Sequence, residues 1–555
     1  MASRPILPLL LLLFFAFFLI YPVGHILAGA FIVDGRLSLE AFRLAFSSEV
    51  IVASIQNSFM VATVVTILSS LIAVPLAHLF ARYEFRGQRL LQGALLAALV
   101  LPPFVSAVGI RQLFARFGSV NLALLEFGVV SEPIDFLGAH PLAGVIGMET
   151  FHLYPILFLY LVAALRNVDP SLLEAAEGAG AGRLTRLVRI TLPLALPGYF
   201  AGTIIVFIFA LTDLGTPIVF GATELVPVQI FDRAMGANRG PVAYAMVLIL
   251  LLISSLLFLG GRRMVARGET SQATKGSVAA PPRAIRTAWW PLILAGLVLL
   301  ALLTLLPHFA ILTVAFSERW FFTIFPEQFS LGHFQQVLTD ETAYLGVRNS
   351  LVYAGCSTLL DLLLGLAIAW IAVRGRGRIG ALLDSCAMLP LALPGVVLAF
   401  SYAGCFSGTM LDPRRDPFML IVLGYAVRRL PYMVRAADAG LRQVPVAFEE
   451  AARNLGASGL RTFRRITLPL LAGSLLAGCL LAFSFAMLEV SESLILATSK
   501  QDYPIAKAIY VLLGDLSSGP QVASAMGVLG AGLLVYSLLV AGRILGKGLG
   551  RLFRA

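Results

Sequence analysis

Charge is scarce in this chain. Of its 555 residues only 13% are Asp, Glu, Lys or Arg, against about a quarter in soluble globular proteins. Hydrophobic residues make up 59%, more than one water-soluble core can take up. Cysteine is rarer still. Cys356, Cys386, Cys405 and Cys479 all fall in apolar runs without CxxC spacing, so they read as small buried hydrophobes and argue against a disulfide framework or metal site. The histidines are scattered, and His25, His78 and His152 read as core or interface residues rather than ligands. No G-x-x-x-x-G-K-[ST] segment is present, so the loop that cradles nucleotide phosphates is missing. Nor is there a nucleophile–base set or a flavin or nicotinamide fingerprint. The expectation is a protein that is not an enzyme and binds no cofactor of its own.

What the chain does have is long apolar runs. Residues 6–30, 50–80, 289–316 and 522–540 are each at or near the length that crosses about 30 Å of hydrocarbon. Twelve candidate spans fall at roughly 5–31, 50–80, 93–115, 141–165, 199–220, 241–260, 289–316, 348–373, 381–407, 418–441, 474–497 and 521–542. The first is too long for the apolar core of a signal peptide and reads as a retained span. Backbone exposed to lipid must satisfy its own hydrogen bonds, and no alternating strand pattern occurs, so all twelve are read as helices of an all-α polytopic membrane protein.

Arginine and lysine give the orientation. One set of loops carries Arg82, Arg86 and Arg89, then Arg166 to Arg189, Arg262 to Arg286, Arg374 to Arg378, Arg442 to Arg465 and the tail from Arg543. The opposite loops are more acidic, with Asp34, Glu40, Glu126, Glu132, Glu318, Asp340 and Asp412 among them. The positive-inside rule puts the basic loops and both termini in the cytoplasm. The formal net charge of +11 is therefore a mark of topology, and no nucleic-acid partner is expected.

Residues 261–287 are polar, with Gly, Ser and a Pro-Pro pair, and read as a cytoplasmic linker between a first half, 1–260, and a second, 288–555. The halves repeat. Glu174-Ala175-Ala176 recurs as Glu450-Ala451-Ala452, Gly180 as Gly456, and Ile190-Thr191-Leu192-Pro193-Leu194 as Ile466-Thr467-Leu468-Pro469-Leu470, all at an offset of 276. Pro155 and Pro431 share that offset, as do Asp213 and Glu489. Asn57-Ser58 matches Asn349-Ser350, and Leu101-Pro102 matches Leu389-Pro390, at slightly larger offsets. Six spans per half is an even number, so the two repeats face the same way.

The loops 166–198 and 442–475 carry the functional argument. Each reads as a short helix, a glycine turn, a second short helix and a helix-ending Leu-Pro. Asp169-Pro170 supplies an N-cap and a first-turn proline, while Pro445 begins the copy without an acidic cap. Gly180 and Gly456 can take positive φ and turn the chain sharply. After the turn, Leu184, Leu187 and Val188 share a face away from Arg183, Arg186 and Arg189, as Leu460, Phe463 and Ile466 do from Arg461, Arg464 and Arg465. Such an amphipathic hairpin can rest in a partner's groove.

Glu-Ala-Ala, three residues, Gly, nine residues, Ile, any residue, Leu-Pro resembles the signature of binding-protein-dependent ABC importer permeases, and it stands here twice. The resemblance implies a type I importer permease fold of two parallel six-helix repeats in a bacterial inner membrane. It implies that both loops couple to two copies of a cytoplasmic ABC ATPase, with ATP and Mg on those subunits. Glu174 and Glu450 would face basic residues of the ATPase, Ala175, Ala176, Ala451 and Ala452 would belong to the docking helices, and Gly180 and Gly456 would shape the bend. A periplasmic or lipid-anchored binding protein would deliver the cargo. The whole chain resembles the fused permeases of the ferric-iron and thiamine importer group. The stretch FIFALTDLGTPIVFG (207–221) and the residues Asp502-Tyr503-Pro504-Ile505 with Ala508-Ile509-Tyr510 are similar to the iron branch, so ferric iron is the expected cargo, with thiamine, a polyamine or a phosphonate as alternatives. An ion-coupled secondary transporter would also show repeats and membrane acids, but it would not need the doubled signature.

Charges inside spans are costly and become functional hypotheses. Asp213 and Glu489, matched in the fifth span of each half, are expected to face the translocation path, as are Arg428 and Arg429 ahead of Pro431, unless the arginines snorkel. Glu149 and His152 hold the corresponding region of the first half. Asp361 and Asp384 are expected to pair between helices.

Overall fold

The computed structural model describes residues 6–236, 240–272, 283–285, 289–318, 320, 322–375, 377–515 and 517–545. Much of the expected linker and of the basic tail beyond Arg543 lies outside these residues. Nine helices among them are long and apolar enough to cross a membrane: Ile6–Phe31, Glu49–Arg82, Pro141–Arg166, Leu184–Thr212, Pro241–Gly261, Trp290–Phe316, Glu341–Arg374, Gly459–Met487 and Gly519–Ala541. Two bent pairs bring the number to eleven, Gln88–Leu99 with Pro103–Glu126 (95°) and Arg378–Ala392 with Gly395–Cys405 (102°). The remaining expected span is the helix Phe418–Gln443, which carries five charged residues and is buried along most of its length. The protein is an all-α polytopic membrane protein with every one of the twelve expected spans helical in whole or in part.

The breaks follow from proline. Pro102 and Pro103 interrupt the expected span 93–115, and Pro390 and Pro394 interrupt 381–407, because a proline has no N–H to give and its ring crowds the preceding turn. Around the first of these breaks, side chains reach the backbone carbonyls. Tyr154 Oη donates to Leu95 O (3.2 Å), His308 Nε2 lies 2.9 Å from Ala97 O, and His152 Nδ1 lies 2.8 Å from Ala98 O. Backbone carbonyls in a dry interior need such partners. His152 is thus a satisfied core histidine.

Two of the expected spans are placed differently. The spans 199–220 and 474–497 begin well before those residues, since the second short helix of each loop runs straight on through its Leu-Pro. A π-helical turn at Leu187–Thr191, and another at Phe463–Thr467, precedes Pro193 and Pro469. The wider turn makes room for a ring that would otherwise collide with the carbonyl four residues back. The same spans end early, at Thr212 and Met487, and short helices Gly215–Phe220 and Ser491–Leu496 follow.

The chain forms two compact units. One comprises Met1–Ser47, Ile230–Leu251 and Leu331–Ala555, the other Ser48–Gln229 and Leu252–Ser330. These divide the chain differently from its sequence halves. In the first unit the leading helix packs on the second half: Tyr402 Oη donates to Phe18 O (2.7 Å), and Phe17, Phe18 and Tyr21 meet the ring of Phe406. In the second unit the helix Trp290–Phe316 packs on Pro103–Phe114 so closely that a Cβ on Gly109 would lie 2.5 Å from Ile311 N. Cys356 is exposed rather than buried, because its helix Glu341–Arg374 presents that face outward.

The matched Asn-Ser pairs do one job twice. Ser58 Oγ accepts from Val226 N (2.9 Å) and Asn57 Nδ2 donates to Glu224 O (3.2 Å). Ser350 Oγ accepts from Ile505 N (2.8 Å) and Asn349 Nδ2 donates to Gln501 O (2.7 Å). Each pair anchors the start of a short helix to the second span of its half.

Candidate functional site

Both arginine-rich loops fold as elbows. In the first, the helix Pro170–Gly178 is capped by Asp169, whose carboxylate accepts from Ser171 N (2.9 Å). It ends in a left-handed glycine, Gly180 at φ +82°, with Ala181 N donating to Ala176 O (2.8 Å) and Gly180 N to Glu177 O (2.9 Å). The second repeats this atom for atom after the helix Val446–Asn454: Gly456 is at φ +82°, Ala457 N donates to Ala452 O (3.0 Å) and Gly456 N to Arg453 O (2.9 Å). Only glycine holds that conformation cheaply.

The elbows leave matched groups without partners among the described residues. Glu174 and Glu450 are exposed and unpaired among the described residues. Leu184 is 73% exposed and its match Leu460 64%; Leu172 and its match Phe448 are exposed as well. Apolar side chains repeated at the same offset on an otherwise basic surface call for a cover.

The second elbow is anchored through a buried ion pair. Arg374, last residue of the helix Glu341–Arg374, donates through Nε to the buried Glu449 (3.1 Å) and through Nη2 to Leu441 O (3.1 Å) and Val444 O (2.8 Å). The residue matching Glu449 in the first elbow is Leu173. Removing one partner of a buried pair costs about 3–5 kcal/mol, whereas replacing both by packed apolar groups is often neutral. Arg374→Ala should therefore lower stability by about 3 kcal/mol, and adding Glu449→Leu should recover most of it. Thermal-unfolding midpoints of the two variants in detergent check this, and equal midpoints would show the anchor to be idle.

The four membrane charges fall into two unlike environments. Asp213 sits in the break after Thr212, half-buried, and accepts from Thr216 N (2.9 Å) and Gly215 N (3.3 Å), so it caps the next short helix. Thr216 Oγ1 in turn donates to the buried Glu149 (2.9 Å). Glu489 holds the matched break and is buried in an ion-pair cluster. Arg428 Nη1 reaches Glu489 (2.6 Å) and Glu492 (3.1 Å), and Arg429 Nη2 pairs with Glu489 and donates to Phe485 O (2.9 Å). Tyr425 Oη and Ser493 Oγ, 2.6 Å apart, close the cluster. A side chain on Gly395 would run into the Arg428 guanidinium, so glycine there leaves room for it. Asp384 pairs with Arg435 (2.9 Å), as expected of an interhelical pair; Asp361 makes no ion pair or hydrogen bond among the described residues.

Glu492 and Lys507 went unnoticed in the sequence. Glu492 lies three residues past Glu489, a spacing that puts both on one side of a turn. Lys507, buried on the helix Ile505–Leu512, donates to Leu494 O (3.0 Å) with the rings of Phe231, Tyr503 and Tyr510 at 5.6–5.9 Å. Rings carry a negative face that suits an ammonium, and two of the three lie within the segment already singled out. Among the described residues no three His, Cys, Asp or Glu side chains converge as metal ligands do.

The comparisons agree with the doubled elbow. Residues 72–269 and 362–551 each match the family described as "Binding-protein-dependent transport system inner membrane component". The chain belongs to this family. It is a permease component of an ABC transporter, a multi-pass protein of the inner membrane, and family members work with an ATPase and a substrate-binding protein. Its relatives include a probable ABC transporter permease, y4fN, of Sinorhizobium fredii (27% identical over 94% of this chain and 92% of that one). A putative ferric transport permease, FbpB 1, of Haemophilus influenzae is 28% identical over 89% of this chain and 78% of its own. A putative 2-aminoethylphosphonate permease, PhnU, of Salmonella paratyphi A is 29% identical over 46% of this chain and 89% of its own.

Proposed function

We propose that this chain forms the translocation path of an ATP-driven importer of ferric iron. Two copies of a cytoplasmic ATPase seat on the elbows, and a periplasmic or lipid-anchored binding protein delivers the cargo to the acidic face. The arginine-rich loops and both termini face the cytoplasm. ATP and Mg belong to the ATPase. The observation that carries the mechanism is the pair of superposable elbows, each offering an unpaired glutamate (Glu174, Glu450), a left-handed glycine (Gly180, Gly456) and exposed leucines to an absent partner. Ala175 and Ala451, both exposed, and the half-buried Ala176 keep the docking helices slim enough for a partner's groove to approach, while Ala452 packs inside its own elbow. The exposed Glu174 and Glu450 favour basic residues at the points of the ATPase cleft that meet them.

The cargo reading is supported by coverage. Ferric permease relatives align with about nine-tenths of this chain, whereas the phosphonate relative aligns with under half of it. In proteoliposomes holding the complete complex, ATP should drive accumulation of iron presented as Fe(III) on the binding protein. Accumulation of thiamine or a phosphonate instead of iron would overturn the cargo, and uptake that runs on an ion gradient without ATP would overturn the mechanism.

A further inference from the structure

Asp361 is fully buried in the helix Glu341–Arg374, and neither carboxylate oxygen has a hydrogen-bond partner among the described residues. The helix Phe418–Gln443 holds the complementary orphan. Arg429 Nη1 is buried and likewise without a hydrogen-bond partner among the described residues, while Nη2 is taken up by Glu489 and Phe485 O. Their register sets the two side by side. Arg374 reaches the carbonyls of Leu441 and Val444, and a Cβ on Gly365 would lie 2.8 Å from Met433, so the two helices run in the same direction. One turn back from Gly365 stands Asp361, and one turn back from Met433 stands Arg429, each on the face its neighbour uses for contact.

Unmet polar groups in a dry interior are costly and call for an explanation. A guanidinium presents a fork of donors that can serve two carboxylates. The two carboxylates beside Arg429 are tied to opposite ends of the second elbow. Asp361 rides on the helix that Arg374 fastens to the elbow helix Val446–Asn454. Glu489 follows directly on the span Gly459–Met487, which grows without interruption from the other elbow helix. A force on the elbow that shears these two helices moves one carboxylate relative to the other with Arg429 between them.

We propose that Asp361 is the second station of Arg429, and that the guanidinium passes from Glu489 to Asp361 during the transport cycle. Asp361 is then a positioning residue, setting the energy of the alternate state through Arg429. The exchange makes and breaks only ion pairs and hydrogen bonds. It rests on the elbows receiving force from the ATPase and is independent of the cargo.

The test uses the complete complex with its ATPase and binding protein in nanodiscs. Asp361→Asn and Asp361→Leu should keep membrane abundance and should not lower the thermal midpoint, since the carboxylate has no partner here to lose. They should lower binding-protein-stimulated ATP hydrolysis at least tenfold, about 1.4 kcal/mol of barrier, at an unchanged KM for ATP, and Asp361→Glu should restore part of the rate. The structure of the vanadate-trapped complex should show Arg429 within ion-pair distance of Asp361. Stimulated hydrolysis at the native rate in both variants overturns the proposal. So does a drop in thermal midpoint that accounts for the loss, which would make Asp361 a packing residue, or a trapped complex with Arg429 still on Glu489. If the unaltered complex is not stimulated by its binding protein, the coupling reading fails, while the trapped structure still decides the exchange.

Discussion

Gly456→Pro is expected to yield a protein that reaches the membrane in normal amount and burns ATP without moving cargo. Gly456 is at φ +82° and its N–H donates to Arg453 O. Proline is locked near −65° and has no N–H, so the turn cannot form and a bond is lost. The damage stays local, because nothing lies within 4 Å of where a Cβ at Gly456 would stand. The spans keep their packing while the elbow helix Val446–Asn454 is redirected. A strained or broken turn of this kind costs about 3 kcal/mol, enough to depopulate the docked geometry by roughly a hundredfold. Cargo moved per ATP hydrolysed is the measurement, with abundance in the membrane as control. Gly180→Pro should act alike on the first elbow. Normal coupled uptake by either variant would remove the elbows from the mechanism.

Glu489→Gln should have the largest effect on stability of any single exchange in the membrane cluster. It strips the main counter-charge from Arg428 and from Arg429, the latter only 5% exposed. Leaving a buried charge uncompensated costs about 3–5 kcal/mol. The matched exchange in the first half, Asp213→Asn, strips no arginine of its counter-charge; it alters the cap on Thr216 N and Gly215 N and the contact with Glu149 and should cost no more than about 1–2 kcal/mol. The ratio of the two effects is diagnostic, since both acids occupy the same point of the repeat. Thermal midpoints of the two variants, compared side by side, give it directly; equal losses would mean that the arginine cluster contributes nothing.

Much of this was legible in the residues. Apolar runs marked the spans, and the recurrence of Glu-Ala-Ala, Gly and Leu-Pro at one offset marked both elbows before any fold was known. What escaped notice were features that depend on three-dimensional neighbours. Leu-Pro reads as a helix end, yet a π-helical turn ahead of Pro193 and Pro469 absorbs the ring and the helix continues. Asp213 and Glu489 read as equivalent path residues, but the first caps backbone and the second neutralises arginines, because position 428 is Arg where its match is His152. Glu449 drew no attention beside Glu450, although it is Glu449 that is buried against Arg374. Neither difference is visible without knowing which helices touch. The Asn-Ser pairs were seen as repeats, and only the fold shows that they tether short helices.

The interleaving of the two compact units has a consequence for how this chain could be divided. Each unit draws polypeptide from both sides of residues 273–282. Severing the backbone there would not release two independent bodies. The fragments would remain clasped, each lending its opening helix to the fold of the other, and separate synthesis of the two would yield a working protein only if both were present while folding.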